Sequence, residues 1–450
     1  MNTLYVYSSS SSSSDSDAEW DREEDGREMV GKLIVSMGHT VVAGTPRHGG
    51  TSSNRRYTHR NREAAHERLM DNYFIPSPIE DTVTFRRRYR MHQPLFNRIL
   101  EAVCLQDEYF RPTVDAVGRV GCTPHQKVTA ALRVMAYGIP YDLVSESMTI
   151  SQTTIRQSFL KFVRAITDVF GPEYLRRPTP ADLRKLLRKG SRRGFPGMIG
   201  SLDCMHWVWQ NCPMAEQAVY RGHYRVPTVI LEAVAGYDTW IWHANFGIPG
   251  SNNDINVLDC SHLFDDMISG RNHRVKFTVN GIDYTIPYFL ADGIYPQWST
   301  LITTLHSPVL PHHKLFAARQ EGYRKDVERA FGILKARWQI IKRPARYWRP
   351  IELGYIMKAC IILHNMIVED ERPEDDGRDD PIDPEASTRR AEAEYEGVEP
   401  CPTGAAPSSL PEMNVRRNLL RDRNVNESLK TNLIEHIWIR EGNPPLAPTY

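Results

Sequence analysis

The chain has 450 residues and is 41% hydrophobic, so it can bury a substantial core and form two or three domains. Its formal net charge of +1 excludes a strong global basic field of the kind that attracts nucleic acid by charge alone. The seven cysteines are scattered and include no C-x-x-C pair, which gives no support for a structural zinc site and fits a reducing compartment.

The N-terminal segment is rich in serine, glycine, arginine and acids and lacks a periodic apolar pattern. We predict that residues 1–65 form a disordered tail. The segment does not show a basic region followed by an apolar one, and no stretch of the chain approaches the apolar length needed to cross a bilayer. We therefore expect a soluble intracellular protein without a membrane partner.

Apolar residues recur at helical spacing from residue 66 to residue 180, which predicts an all-α region over 66–180. Its clearest part is a helix that stops at Gly138, a short helix, and a third helix after Ser151, a residue type favoured at helix N-caps. The first turns of the third helix carry four polar residues, Gln152, Thr153, Arg156 and Gln157. This arrangement is typical of a helix-turn-helix that reads the major groove, although a plain helical bundle with one wet face has the same pattern.

The next stretch is the most basic of the chain. We interpret residues 181–197 as a basic linker. Its candidate contacts to DNA are Arg188, Lys189, Arg192 and Arg193. Phosphate binding and nuclear import both fit this composition, and so does a cationic surface loop without a partner.

The periodicity becomes strand-like at Met198, so residues 198–370 are predicted to form an α/β domain with a mixed sheet and flanking helices. The runs GMIGSLDCM and HWVWQ are predicted as separate strands, and two further strands and a single helix ending at Gly270 follow. Asn280 and Gly281 are typical of a hairpin turn. Beyond this domain we predict an acidic disordered linker over 371–410, and over 411–450 a helix and tail that dock on the core or contact a partner.

Three acids stand out in the α/β domain. Asp203 and Asp292 each close a short apolar run, and Glu328 lies at the edge of the apolar stripe of a long helix, with 35 residues between it and Asp292. Taken singly, such acids are more typical of turns and solvated helix faces. Together, two carboxylates at strand ends and one on a helix are what a site needs to hold hard divalent cations against phosphate oxygens.

Several long motifs carry a resemblance to a known family: GSLDCMHWVWQNCP, LEAVAGYDTWIWHANFGIPGSNNDINVL, YFLADGIYPQWS, KDVERAFGILKARW and CIILHNMIVED. In this order they resemble the plant branch of the PIF/Harbinger superfamily of transposases and the nuclease-like proteins derived from them. The similarity covers about residues 66–440. It implies an RNase H-like catalytic core of the DDE type, preceded by a helical DNA-binding region with a helix-turn-helix.

The resemblance also implies roles for individual acids. By the family pattern Asp203 and Asp292 are the two catalytic aspartates and Glu328 is the catalytic glutamate. Asp254, in PGSNNDINV, matches a further acid that is counted among the metal-binding residues, although the same sequence is a good helix-capping arrangement. The implied cofactor is a divalent metal cation, Mg²⁺ with Mn²⁺ as a substitute, in a two-metal site.

The function implied by the resemblance is a metal-dependent DNA endonuclease and transposase that cleaves, and in transposition transfers, DNA strands at terminal inverted repeats. The alternative is a domesticated DNA- or chromatin-associated adaptor that keeps the fold without catalysis. The resemblance further implies a Myb-like accessory protein as a partner and a location in the nucleus, with the cytoplasm also open. A homo-oligomer is compatible with it.

Overall fold

The computed structural model describes residues 60–114, 118–372, 395–401 and 408–446. From Asn61 onward these residues belong to one compact unit. The predicted disordered tail, residues 1–65, falls mostly outside the described residues, and so does most of the predicted acidic linker at 371–410. Two described pieces depart from those predictions, because a helix begins at Arg62 and a strand spans Tyr395–Glu399.

The region before the sheet is helical, as predicted. Its helices span Arg62–Tyr73 (α1), Thr82–Tyr89 (α2), Gln93–Gln106 (α3), Pro124–Tyr137 (α4), Tyr141–Met148 (α5) and Gln152–Tyr174 (α6). A capping box between Thr123 and Gln126 starts α4, and Gly138 ends it in the left-handed conformation. The Ser151 side chain accepts a hydrogen bond from the backbone N–H of Thr154 at the start of α6. The three helices predicted between 123 and 170 are therefore confirmed.

The predicted basic linker is largely a helix. This helix, α7, spans Pro180–Arg192 and begins at a capping box between Thr179 and Asp182. Its leucines recur at helical spacing, and Leu183 and Leu187 are buried. The prediction of a linker over 181–197 is therefore wrong for most of its length. The many basic residues made the segment look like a linker, although its leucines have the spacing of an amphipathic helix.

The strands span Met198–Val208 (β1), Thr228–Ala235 (β2), Ile241–Pro249 (β3), Arg274–Val279 (β4), Ile282–Tyr284 (β5), Tyr288–Ala291 (β6), Leu301–Thr303 (β7) and Tyr395–Glu399 (β8). A five-stranded sheet has the order β3-β2-β1-β6-β7, and a smaller sheet has the order β5-β4-β8. The first three strands of the large sheet are antiparallel, whereas β6 and β7 run parallel to β1. The mixed α/β class is thus confirmed, but the two strands predicted at 198–210 are one continuous strand.

The predicted hairpin is present between β4 and β5. Asn280 and Gly281 have φ values of 50° and 80° at its turn, as a two-residue type I′ turn requires. The single helix predicted before it is instead two short helices, Asp254–Asp259 (α9) and Asp265–Ser269 (α10). A one-turn helix, Gln217–Tyr220 (α8), lies earlier, between β1 and β2.

The remaining helices cover the sheet. They span Pro311–Arg337 (α11), Gln339–Lys342 (α12), Pro350–Asp370 (α13), Leu410–Leu420 (α14) and Arg423–Arg440 (α15). The last helix docks on the core, where the Asn426 side-chain amide donates to the carbonyl oxygens of Trp298 and Leu301, both at 2.6 Å. Docking was one of the two outcomes expected for the C-terminal segment.

α13 is long and apolar enough to cross a membrane by length and composition, with a mean hydropathy of 1.5. The prediction that no segment has that character is therefore wrong. In the structure 83% of this stretch is buried inside the protein, which is the position of a core helix. Its Asn365 amide donates to the carbonyl oxygens of Tyr174 in α6 and Ile241 in β3, each at 2.9 Å. The helical region and the sheet are therefore joined through α13.

Candidate active site

Strand register brings Asp203 and Asp292 to the same level of the sheet. β1 and β6 are parallel neighbours, and Ser201 pairs with Leu290. Two residues beyond that pair lie Asp203 on one strand and Asp292 just after the other. The Asp292 side chain is exposed and accepts a hydrogen bond from the backbone N–H of Gly293 at 2.7 Å. The two predicted aspartates therefore sit side by side at the end of a parallel strand pair.

α11 carries Glu328 over this strand end. The Ser201 hydroxyl donates to the carbonyl oxygen of Tyr323 at 3.0 Å, which ties the helix to β1. One turn before Glu328, the Arg324 Nη1 atom lies 2.8 Å from Glu328 Oε1 and 3.6 Å from Asp203 Oδ2. A single guanidinium thus bridges the first and the third of the predicted acids.

Two further hydrogen bonds hold α11 on the sheet, near Asp292. The buried Gln320 amide donates to the carbonyl oxygens of Ala291 and Ile302, at 3.0 and 2.9 Å. Ala291 immediately precedes Asp292. The same helix therefore sets the height of Glu328 and supports the backbone that carries Asp292.

Arg193 has a different role from the predicted one. Its side chain is 2% exposed and forms a buried ion pair with Asp326 of α11. Its guanidinium also lies over the Tyr323 ring, 4.6 Å from the centroid. A phosphate cannot reach a group in this position, so the prediction that Arg193 contacts DNA is wrong, and its place is beneath the helix that presents Glu328.

Asp254 joins the same acidic cluster. It lies in the first turn of α9, but the capping residue is Asn253, whose side chain accepts from the backbone N–H of Asn256 at 2.9 Å. The capping alternative for Asp254 is therefore not what the structure shows. Burial raises the pKa of Asp254, the nearby carboxylates of Asp292 and Glu232 raise it further, and a hydrogen bond with Cys204 opposes the rise.

The electrostatics of Asp203 confirm that these acids are close neighbours. Burial raises the pKa of Asp203 to about 6, and repulsion by Asp254 and Glu328 adds to the rise. The backbone N–H of Cys204 and the charge of Arg324 oppose it. Asp254 and Glu328 thus lie near Asp203, and Asp292 lies near Asp254, so the four acids form one cluster beside the middle of β1.

Carboxylate oxygens are the hard ligands that Mg²⁺ and Mn²⁺ prefer, so the donor types fit a divalent cation. The positions of these side chains fit a bound cation less closely than their chemical types do. Within residues 60–114, 118–372, 395–401 and 408–446, no three Asp, Glu, His or Cys side chains close around one point as a metal shell would require. Arg324 stands between two of the acids and supplies the positive charge at that position.

Sequence reasoning missed several members of the cluster. Glu232 is fully buried in β2 beside Cys204 in the register, and His243 Nε2 lies 3.3 Å from its Oε2 atom. The Tyr295 hydroxyl lies 3.5 Å from Cys204 Sγ. An acid inside the apolar run TVILEAVA was the available signal for Glu232, because an acid is rarely buried without a partner. Nothing comparable distinguishes Arg324 from the other basic residues of its helix.

The predicted DNA contacts lie on two helices. At the start of α6, three of the residues are exposed and Arg156 is half-buried near Glu352, whose burial raises its pKa while the charge of Arg156 opposes the rise. Gln152 donates to the Asp142 carboxylate of α5. On α7, Arg188 is exposed, whereas the other two residues, Lys189 and Arg192, are half-buried. Whether these residues contact DNA stays a prediction.

A family model described as "Plant transposon protein" matches residues 172–375, a range that includes all four acids. A domain of unknown function matches residues 66–104. No solved structure matches the chain.

Among curated proteins, "Protein ALP1-like" of Arabidopsis thaliana is 26% identical over 254 residues, which is 55% of this chain and 61% of that protein. "Putative nuclease HARBI1" of Homo sapiens is 23% identical over 251 residues, and that of Bos taurus 22%, each covering 55% of this chain and 68% of the relative. The chain thus spans about three fifths of the ALP1-like protein and two thirds of the HARBI1 proteins. Residues 172–375 match the plant transposon protein family, and the chain is homologous to the ALP1-like and HARBI1 proteins.

Proposed function

We propose that the protein is a metal-dependent DNA endonuclease of the Harbinger type, with Asp203, Asp292 and Glu328 as its catalytic residues. The observation that carries this proposal is the convergence of the three acids. Asp203 lies on β1, Asp292 directly follows the neighbouring parallel strand β6, and Glu328 is joined to Asp203 through Arg324. The name of the HARBI1 relatives, a nuclease, supports the same class of reaction.

The sheet supports an RNase H-like core. Three antiparallel strands are followed by two strands parallel to the first, in the order β3-β2-β1-β6-β7, with a long helix packed across β1. This order places the acid of the central strand beside the acid of the next parallel strand. The two carboxylates then lie where the parallel pairing of β1 and β6 ends, and a DNA backbone would approach them there.

The four acids, Asp203, Asp254, Asp292 and Glu328, would supply oxygen ligands to Mg²⁺ or Mn²⁺. When bound, such ions lower the pKa of an attacking water or 3′-hydroxyl and stabilise the leaving oxygen. Burial raises the pKa of Asp203 to about 6. Before a cation binds, this carboxyl group is therefore mostly ionised only above that pH. The Arg324 guanidinium lies between the Glu328 and Asp203 carboxylates and offsets their mutual repulsion before a cation binds.

The proposal extends to the substrate and the partners. The helix-turn-helix of α5 and α6 would read terminal inverted repeats through Gln152, Thr153, Arg156 and Gln157. The basic side of α7, with exposed Arg188 and half-buried Lys189 and Arg192, would hold phosphates. Strand transfer, a nuclear location, a Myb-like accessory protein and self-association belong to the same proposal.

The test is cleavage of a labelled duplex that carries the ends of the encoding element, with Mg²⁺ or Mn²⁺ and with the Myb-like protein added. Asp292→Asn and Glu328→Gln should each abolish cleavage while the fold and DNA binding persist. Glu427→Gln is a matched control, because this exposed acid lies on α15 in an ion pair with Arg423. Equal cleavage by all variants would refute the catalytic assignment. Binding without cleavage by every version, including the wild type, would instead favour the domesticated adaptor.

A further inference from the structure

A basic ribbon, residues 342–349, connects α12 to α13. It contains four cations and no acid: Lys342, Arg343, Arg346 and Arg349. All four are exposed, and so is Trp348, whose surface is 57% accessible. Within the described part of the chain, no ion pair involves Lys342, Arg343 or Arg346. Lys342, Arg343 and Arg346 therefore present positive charge without an ion-pair partner among the described residues, near the exposed ring of Trp348, whereas Arg349 interacts with Glu352.

The backbone of the basic ribbon is held along the end of β1. The Ala345 N–H donates to the Val208 carbonyl oxygen at 2.8 Å, and the Ala345 carbonyl accepts from Gln210 at 2.9 Å. The indole N–H groups of Trp207 and Trp209 donate to the carbonyl oxygens of Arg343 and Tyr347, at 2.8 and 2.7 Å. These bonds fix the backbone of the ribbon against β1. The Lys342, Arg343 and Arg346 side chains are exposed, and Arg346 Nε donates to the Gln210 side-chain oxygen at 3.4 Å.

The position of the basic ribbon suits a long ligand. Val208 lies five residues beyond Asp203 on β1, which is about 17 Å along the strand and corresponds to about five base pairs of duplex. On its other side the ribbon meets the helix-turn-helix, where the Tyr347 hydroxyl lies 2.8 Å from that of Tyr141 in α5. The Tyr347 ring also stacks on Phe159 of α6, with 5.9 Å between the centroids. The ribbon thus lies between the predicted DNA-reading helices and the acidic site.

We propose that the basic ribbon is a DNA-binding surface, in which Arg343 and Arg346 contact phosphates and Trp348 stacks on an unpaired base. This inference rests on the proposed nuclease function for the choice of DNA as the ligand. Exposed arginines fit a phosphate backbone, and an exposed indole close to them in the chain fits the face of a base that has left the duplex. An unpaired base is what DNA offers near a site where its strands are separated or cut.

The test measures DNA binding in EDTA, so it does not depend on cleavage. The probes are a labelled blunt duplex of mixed sequence and the same duplex with a single-stranded 3′ overhang. The pair Arg343→Ala and Arg346→Ala should bind both probes more weakly and reduce the salt slope of log K by about 1.8, or about 0.9 for each phosphate contact. The control is the pair Arg417→Ala and Arg423→Ala, which removes the same charge from exposed positions on α14 and α15.

Trp348→Leu should weaken binding to the overhang probe by about 5- to 150-fold and leave binding to the blunt duplex unchanged. Trp348→Tyr keeps an aromatic face and should retain most of the affinity. The proposal is overturned if the ribbon pair shows the affinity and salt slope of the control pair, or if Trp348→Leu affects both probes equally. If these variants lose DNA binding but the wild type shows no metal-dependent cleavage, the DNA-binding surface is supported and the nuclease function is refuted. Unchanged DNA binding by the ribbon variants together with metal-dependent cleavage by the wild type would support the nuclease and refute the ribbon as a DNA-binding surface.

Discussion

Breaking the buried ion pair between Arg193 and Asp326 should destabilise the protein far more than removing both of its members. Each side chain is 2% exposed, so the loss of one partner leaves a charge in the interior at a cost of about 3–5 kcal/mol. Asp326 has a second partner, Arg329, at 2.9 Å. Arg193→Met should therefore lie near the lower figure, because Asp326 stays compensated. Asp326→Leu should lie near the higher figure, because it leaves two cations facing an apolar side chain.

The measurement is the free energy of unfolding from urea denaturation followed by circular dichroism. The double variant, Arg193→Met with Asp326→Leu, removes both buried charges and should stay within about 1 kcal/mol of the wild type. Arg417→Met is the control, because an exposed arginine should contribute less than about 0.5 kcal/mol. Single-variant losses below about 1 kcal/mol, or a double-variant loss equal to the sum of the two singles, would contradict the reasoning.

Other predictions concern the core and the acidic site. The pKa of buried His364 is lowered to about 3 and that of His436 to about 4, so the unfolded chain binds protons first. The histidines' contribution to the free energy of unfolding should be complete above pH ~6.5 and fall on acidification by about 1.4 kcal/mol per pH unit for each histidine. His436→Gln should remove one histidine's part of that slope in pH-dependent urea denaturation. An unchanged slope would contradict the role of His436. Asn365→Leu leaves three buried backbone groups without their partners and should lower the free energy of unfolding by at least about 3 kcal/mol, whereas a loss below about 1 kcal/mol would show that water replaces the amide. Arg324→Gln removes a cation 2.8 Å from Glu328 and should tighten Mn²⁺ binding, measured by calorimetry, by about tenfold; weaker binding would mean that Arg324 mainly holds the ligands in place.

Several features of the fold could be predicted from the sequence because they depend on interactions within a few residues. Ser151 and Gly138 mark helix ends by capping rules that act within one turn, and Asn280 with Gly281 forms a turn that requires positive φ. The acids at 203, 292 and 328 were visible because each follows or borders an apolar run. The helix ends and the turn, whose cause lies within a few residues, were therefore predicted correctly, whereas the catalytic roles of the three acids stay a prediction.

Amphipathic patterns were less decisive. The basic sequence of α7 looked like a linker, because its buried leucines are separated by arginines and lysines whose exposure depends on the sheet below. The same ambiguity placed Arg193 on the surface, whereas Asp326, 133 residues away, draws it into the core. A charged residue has the same sequence signature in both positions.

The sequence by itself determined which residue types were available at the site, the helix and turn boundaries, and the family to which the motifs point. Only the tertiary structure decided that Ser201 pairs with Leu290, that Arg324 bridges Asp203 and Glu328, and that Glu232 lies buried beside them. The physical reason is distance along the chain. Strand register and helix docking depend on contacts between segments about 90 to 130 residues apart, and no local periodicity encodes which of the many compatible partners is chosen.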